Sequence, residues 1–386
     1  RAFTDRGIDM GAQWIHGATK NNPMFELLSH TGGKTVRGTG GGLNVGTDSR
    51  RLGDLAFQKL QAAVAASRCD QSWADAIRAQ GETWEMALQR ITEGDSDAKK
   101  ALSLRVYHLV ENYEGATLDT WSTCHGQEAT CLEGGNANIA GGYGCLVAKL
   151  AQGLDIRYNS PVRSIGQDCR GVRVELHNGD YVQAQFAVVA VPLGVLQNRD
   201  IVLELPPKVY DCIDRLGIAV MNKIVLRFET RWWPQGVGSI SIAASEDPLW
   251  NQYPWYLNPS GEGNETTLVC FVTGHFARRV ETLSDAATVQ EALDMLRRHG
   301  LQAPEPQEAF VSRWVSDPWA RGSWTYYRVG SSSADVLELG RPIGRVALAG
   351  EHTAVGSAGM DIGTVHGAWL SGFRAAEHAG ACLRQQ

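Results

Sequence analysis

The sequence predicts an α/β protein, part doubly wound nucleotide-binding sheet and part mixed helix and sheet, and three stretches carry that expectation. The first is Arg345 to Arg374, RVALAGEHTAVGSAGMDIGTVHGAWLSGFR. It reads as a buried strand (Val346 to Ala349), a glycine turn, one acidic residue (Glu351), a glycine-rich loop and a helix starting near Thr364. The second is Phe186 to Val191, FAVVAV, apolar on both faces as a central parallel strand requires. The third is the pair Val172 to Leu176 and Tyr181 to Gln183 flanking Asn178-Gly179-Asp180, a hairpin signal. A strand ending in a carboxylate that faces a helix N-terminus is how a doubly wound sheet holds a nucleotide, outside the carboxyl ends of its strands. The helix start adds free N–H groups and the positive end of a dipole. By spacing alone, a strand-turn-helix without ligand fits equally well.

Composition bounds the possibilities. A chain of 386 residues, 43% hydrophobic, can bury a large core, here expected as two interleaved domains. No run approaches the roughly 18 apolar residues of a membrane span. A net charge of −6 argues against a general nucleic-acid binder and favours small cationic partners. The eight cysteines (69, 124, 131, 145, 169, 212, 270, 382) include no C-x-x-C pair and read as reduced thiols of an intracellular, cytoplasmic protein. Cys124, His125 and Cys131 lack a second pair to complete a metal site, so no metal is expected.

In chain order, RAFTDRGIDMGAQWIHG opens the sequence, and no complete G-x-G-x-x-G appears anywhere. Gly38 to Gly46 (GTGGGLNVG) is too irregular for a phosphate loop and is expected to be a flexible connection. Asp54 to Tyr113 reads as helical: Phe57, Leu60 and Val64 share one face, and Leu102, Val106, Leu109, Val110 and Tyr113 another. Asn138 to Gln152 is a glycine turn feeding a short helix, and Ile156 to Ile165 a strand. In NKIVLRF (Asn222 to Phe228), Ile224, Leu226 and Phe228 alternate with Lys223, Val225 and Arg227, so Lys223 projects from one face of a strand. Most of the twelve tryptophans are expected to pack the core. Asp119 and Glu128 are the carboxylates placed to read an extended cation, although both also fit an ordinary surface.

Four motifs, in order, resemble the flavin-dependent amine oxidases, the family of polyamine and spermine oxidases, lysine-specific histone demethylases and monoamine oxidases. They are DMGAQWIHG (Asp9 to Gly17), NKIVLRF, WVSDPWARGSWTYYRVGSSSADV (Trp314 to Val336) and AGEHT with TVHGAWLSG. The resemblance implies a Rossmann-like FAD-binding domain (1–30, 140–200 and 341–386) interleaved with an α+β substrate-binding domain (31–139 and 201–340). The family's dinucleotide fingerprint precedes the first motif, so an N-terminal βαβ unit of roughly 30 residues or more is expected to be missing here. Arg1 matches the arginine of the family's Gly-Gly-Arg.

The resemblance assigns roles residue by residue. Ala12, Gln13 and Trp14 match flavin-contacting positions, and His16 a substrate-binding histidine. Val162 matches a backbone contact to the adenine, and Trp314 and Trp319 positions that pack near or brace the flavin. Lys223 matches the single active-site lysine, which hydrogen-bonds through water to flavin N5 and helps oxygen accept electrons. Glu351 would bind the ribityl–pyrophosphate side, and the N–H of Val365 would support the reduced ring. Trp324 stands where the family places one aromatic wall, usually tyrosine, and Thr364 aligns with the opposite wall. One aromatic wall rather than two points away from monoamine oxidases. No arginine in GAQWIHG pairs a substrate carboxylate, which points away from amino-acid oxidases. No cysteine lies between Cys270 and Cys382, so FAD is expected to be non-covalent.

The implied reaction is oxidation of a polyamine (spermine, spermidine or an acetylated form). A hydride passes from the carbon beside nitrogen to the flavin, the imine hydrolyses to aldehyde and amine, and O2 becomes H2O2. The alternatives are a histone-demethylase-like oxidase, which lacks sustained heptads for a docking coiled coil, and an inactive truncated relative serving as a binding module.

Overall fold

Two kinds of sheet build the molecule, an antiparallel platform and smaller parallel pieces around the carboxyl-terminal helix. The computed structural model describes residues 2–3, 7–38, 40–45, 81–91, 114–122, 132–242, 252–259, 264–355 and 361–384. Arg1, Glu128, Cys124, His125 and Cys131, and the two helical faces expected in 57–64 and 102–113, lie outside them. Of the helical stretch, Trp84–Ile91 is described, and it is an α-helix.

The platform has six strands in the order Glu308–Val311, Met221–Arg227, Thr267–Thr273, Trp255–Leu257, Val237–Ile242, Gly41–Val45. All pairings are antiparallel except the last, where Gly41–Val45 runs parallel to Val237–Ile242. This corrects the reading of Gly38 to Gly46 as a connection. Its glycines present little side chain, and a strand needs only backbone N–H and C=O groups to join a sheet edge.

Met221–Arg227 is buried at every position because both of its faces are covered. Ile224, Leu226 and Phe228 enter a mixed aliphatic and aromatic core with Ile240, Tyr256, Leu268 and Cys270. Leu293 and Leu296 of helix Asp285–Arg298 close that core, and Ser284 caps the helix by accepting from Ala287 N. Met221 and Val225 face the other way, among Met10, Val269, Phe271 and several tryptophans. The alternation read from the sequence therefore holds, with chemistry assigned to one face and packing to the other.

Around the helix Val365–Arg384, strand Val346–Leu348 pairs in parallel with Ala187–Val189. Parallel pairing was expected for FAVVAV, but a central position was not observed: among the described residues this sheet has two strands, and Val188 is 45% exposed. Pro192 ends the run and precedes a short helix, Leu193–Gln197. The hairpin of Gly171–Leu176 and Tyr181–Ala184 forms around Gly179, whose φ is +91°. Its neighbouring strand is Val162–Asp168, not Ile156 onward. Pro161 lacks an N–H for a ladder and sets the start.

Candidate active site

The site grows from the segment Asp9–Ile15, which crosses the aromatic face of the lysine strand. Lys223 is 2% exposed. Its Nζ donates to Asp9 O (2.7 Å), Gly11 O (2.8 Å) and Gln13 Oε1 (2.9 Å). Three acceptors match the three donors of an ammonium. Burial nevertheless pulls its pKa down from 10.5 to about 7, with Asp9 opposing. Phe271 and Trp14 lie at 5.4 and 6.0 Å from Nζ to ring centroid. The lysine is thus an interior strand residue rather than a solvated edge one.

Asp9 is positioned by the helix Tyr143–Leu150. Its carboxylate accepts from Tyr143 N (3.1 and 3.0 Å), satisfying a first-turn N–H of that helix. Burial raises the Asp9 pKa, against the Tyr143 bond and the charge on Lys223. Gly142, at φ +78°, permits the approach: a Cβ there would sit 3.0 Å from Asp9 Oδ1. Tyr143 also donates its hydroxyl to Trp14 O (3.2 Å).

Aromatic rings wall the region. Trp14 stacks with Phe271 (5.8 Å) and Trp255 (6.2 Å), and Trp255 with Phe271 (4.6 Å). Trp314 donates its indole Nε1 to Met10 O (3.3 Å). Trp324 opens the strand Trp324–Tyr326 and packs with Trp314 on one side and with Trp84, Trp121 and Ala219 on the other. Gly115 and Gly363 flank its indole, a Cβ at either lying 3.1 Å from the ring. Glu114, next to Gly115, is pushed up by burial from 4.5 to about 7.

The last motif folds as expected locally. Gly350 ends the Val346 strand and Glu351 begins a single 3-10 turn, Glu351–Thr353. The Glu351 carboxylate accepts from Thr325 Oγ1 (2.7 Å), Thr325 N (3.2 Å) and Gly363 N (2.6 Å). It therefore ties the Trp324 strand to the loop before the last helix. Burial raises its pKa, and those three donors pull it back. Thr364 starts the helix, accepting from Gly367 N (3.0 Å) and donating to Asp361 O (2.6 Å). Its hydroxyl is spent on capping, so it contributes a methyl rather than a ring to any opposite wall. Val365 N lies in the first helical turn, where N–H groups lack intrahelical acceptors. His16 Nδ1 pairs with Asn136 Oδ1 (3.0 Å), and burial first, then nearby His366, holds its pKa below 6.5.

Asp9, Gln13, Trp14, Trp314, Trp324 and Lys223 converge, and Glu351 links Trp324 to Thr364. Trp319, Val162 and Asp119 lie outside this group. Trp319 is 59% exposed and hydrogen-bonds only through its N–H, to Asp317 Oδ1 (3.0 Å). Val162 starts the strand beside the hairpin, paired opposite Leu176. Asp119 is a surface carboxylate 3.9 Å from His275 Nε2. The sequence reading missed Trp84, Trp121, Trp255, Phe271, Tyr143 and Glu114. Only tertiary contact assembles them, and no spacing rule marks them.

The donor set fits a flavin. Gln13 Nε2 is buried without a partner among the described residues, beside exposed Gly11 and Ala12, which leave backbone open to a ligand. No group of three or more metal-ligating side chains is assembled among the described residues. No described helix is long and apolar enough to cross a membrane.

An α/β scaffold with a buried lysine, an aromatic wall and a helix start has the parts a flavin-type oxidoreductase needs. Residues 1–379 match the family model of flavin-containing amine oxidoreductases. The chain belongs to that family and is an FAD-dependent amine oxidase. It is 30% identical to polyamine oxidase 4 of Oryza sativa subsp. japonica over 96% of this chain and 78% of that one. It is likewise 30% identical to polyamine oxidase 2 of Arabidopsis thaliana, with the same coverage. A lysine-specific histone demethylase 1 homolog of Arabidopsis thaliana is 32% identical over 74% of this chain and 35% of its own length. A redesigned putrescine oxidase structure superposes with a TM-score of 0.69 over 96% of this chain and 88% of its own, at 19% identity, which speaks to fold alone.

Proposed function

We propose that this amine oxidase acts on a polyamine (spermine, spermidine or an acetylated form) and releases H2O2. The observation that carries the reading is one aromatic wall, Trp324, with a half-buried carboxylate, Glu114, next in sequence to the glycine packed on that indole. A cation on the indole face gains roughly 1–2 kcal/mol when desolvated. A second ammonium of the same molecule would draw the Glu114 proton off and pair with the carboxylate. A monoamine cannot use both.

Bound FAD would supply the oxidation, taking a hydride from the carbon beside nitrogen and passing two electrons to O2. The protein's part is binding and electrostatics. Ala12, Gln13 and Trp14 line the cofactor edge, with Trp314 behind them. Gln13 Nε2 and Val365 N–H offer donors, and Arg1, Val162 and Glu351 belong to the nucleotide side. Lys223 holds positive charge where negative charge develops. His16, neutral at pH 7, can accept a hydrogen bond from a substrate amine on the ring nitrogen not engaged by Asn136. The cofactor part comprises 1–30, 140–200 and 341–386, and the substrate part 31–139 and 201–340. With no cysteine between 270 and 382, attachment is non-covalent, and acid precipitation should leave a colourless pellet.

The test is the visible spectrum of the FAD-loaded chain before and after anaerobic spermine. Bleaching of the flavin bands supports the reading; retained colour with every polyamine sinks it. The likeness to a histone demethylase homolog favours methylated lysine peptides as the second substrate class to try.

A further inference from the structure

We propose that Asn222 and Glu281 are positioning residues that set the site from the opposite side of the lysine strand. Asn222 is 0% exposed. Its Oδ1 accepts from Trp314 N (3.1 Å) and Ser312 Oγ (3.2 Å), and its Nδ2 donates to Glu281 Oε1 (2.9 Å) and Ala277 O (3.3 Å). Glu281 caps the same segment, accepting from Val315 N (2.9 Å) and from Ser316 N (2.7 Å) and Oγ. Ser312 in turn clips the peptide of Lys223: Lys223 N donates to Ser312 Oγ (2.8 Å), and Ser312 N donates to Lys223 O (2.9 Å).

These bonds form a closed circuit. The Asn222 amide fixes the Trp314 backbone; the Trp314 indole N–H holds Met10 O; and Met10 sits between the two carbonyls, Asp9 O and Gly11 O, that hold Lys223 Nζ. The Lys223 backbone returns the circuit to Ser312 and Asn222. Every polar group in it is buried or half-buried, and each has a partner, the condition under which a network rigidifies rather than destabilises. Removing the Asn222 amide frees Trp314 N and Ser312 Oγ together. The indole that ties Met10 O then loses its anchor, the carbonyl cradle is left to the Tyr143 bonds at Asp9 and Trp14, and the position of the ammonium loosens.

The test reads Lys223 directly and rests on the reading of that lysine as the charge beside the flavin. Lysines of Asn222→Ala are acylated competitively with acetic anhydride, without and with FAD, and quantified by mass spectrometry against exposed Lys208. Lys223 labelling is expected to rise about tenfold without FAD, the scale of one lost buried hydrogen bond. With FAD, photoreduced enzyme mixed with O2 should reoxidise about tenfold more slowly per bound flavin, and Glu281→Gln should fall between. No amine enters this measurement, so a wrong substrate class leaves it untouched. Lys223→Met, if it reoxidised like the wild type, would separately sink the role of the lysine. Unchanged labelling and unchanged reoxidation with a lowered melting temperature would reduce Asn222 to scaffold. Where Asn222→Ala yields no folded protein, Glu281→Gln and Trp314→Phe decide by the same two ratios.

Discussion

The two faces of strand Met221–Arg227 differ in everything but burial. One carries Ile224, Leu226 and Phe228 into a core closed by helix Asp285–Arg298. The other carries Lys223 and Val225 against Trp14, Trp255, Trp314 and Trp324, with exposed Gly11 and Ala12 at its margin. The first face is filled by apolar side chains, and its one buried polar side chain from the strand, Asn222, has all its hydrogen bonds made within the protein. The aromatic face holds an ammonium with three hydrogen bonds and four indoles beside exposed backbone. Rigidity on the first face is what permits a buried cation on the second, because an ammonium at 2% exposure is tolerated only where its acceptors cannot move away.

This contrast can be broken from either side. Leu226→Ala, at 0% exposure, should cost about 3 kcal/mol of stability through the lost transfer energy and the cavity, with turnover per folded molecule unchanged. Thermal or urea unfolding beside rates normalised to bound flavin checks it; a large change in normalised rate would mean that the faces are coupled. Lys223→Met should do the reverse. Reoxidation by O2 should slow about a hundredfold, near 2.7 kcal/mol, while stability holds or rises because a buried charge is gone.

Glu114→Gln should raise the KM for spermine about tenfold and leave a monoamine of equal length unchanged. Equal effects on both amines would remove Glu114 from substrate reading. A smaller effect follows from pH. The Lys223 pKa is depressed, so between about 7 and its unfolded value of 10.5 the unfolded chain binds a proton that the folded chain lacks. Stability from this group is therefore lowest below 7 and rises with pH across that window, whereas reoxidation should fall as the charge is lost. Lys223→Met should flatten both trends, and trends that persist in it belong to another group. Smallest, Ser284→Ala removes the cap of helix Asp285–Arg298, which accepts from Ala287 N at 3.2 Å. About 1 kcal/mol of stability should go, with no change in either half-reaction.

Part of the fold was legible because local rules suffice for it. Strand alternation put Lys223 opposite Ile224 and Leu226, the Asn-Gly-Asp turn gave the hairpin, and AGEHT followed by TVHGA gave a strand, a turn and a capped helix. Where local rules misled, a neighbour decided. Gly41–Val45 became a strand because Val237–Ile242 offered it an edge.

The sequence by itself determined the family and the cofactor class, since four motifs in order need no partner to be recognised. Only the tertiary structure decided what surrounds them. Trp255 and Phe271 reach Trp14 from strands more than two hundred residues away, Gly115 packs on the Trp324 indole, and Asn222 acts on Met10 through Trp314. Such contacts depend on sheet register and on which face each side chain takes. Both are fixed by pairing between segments distant in sequence, and no single segment contains them.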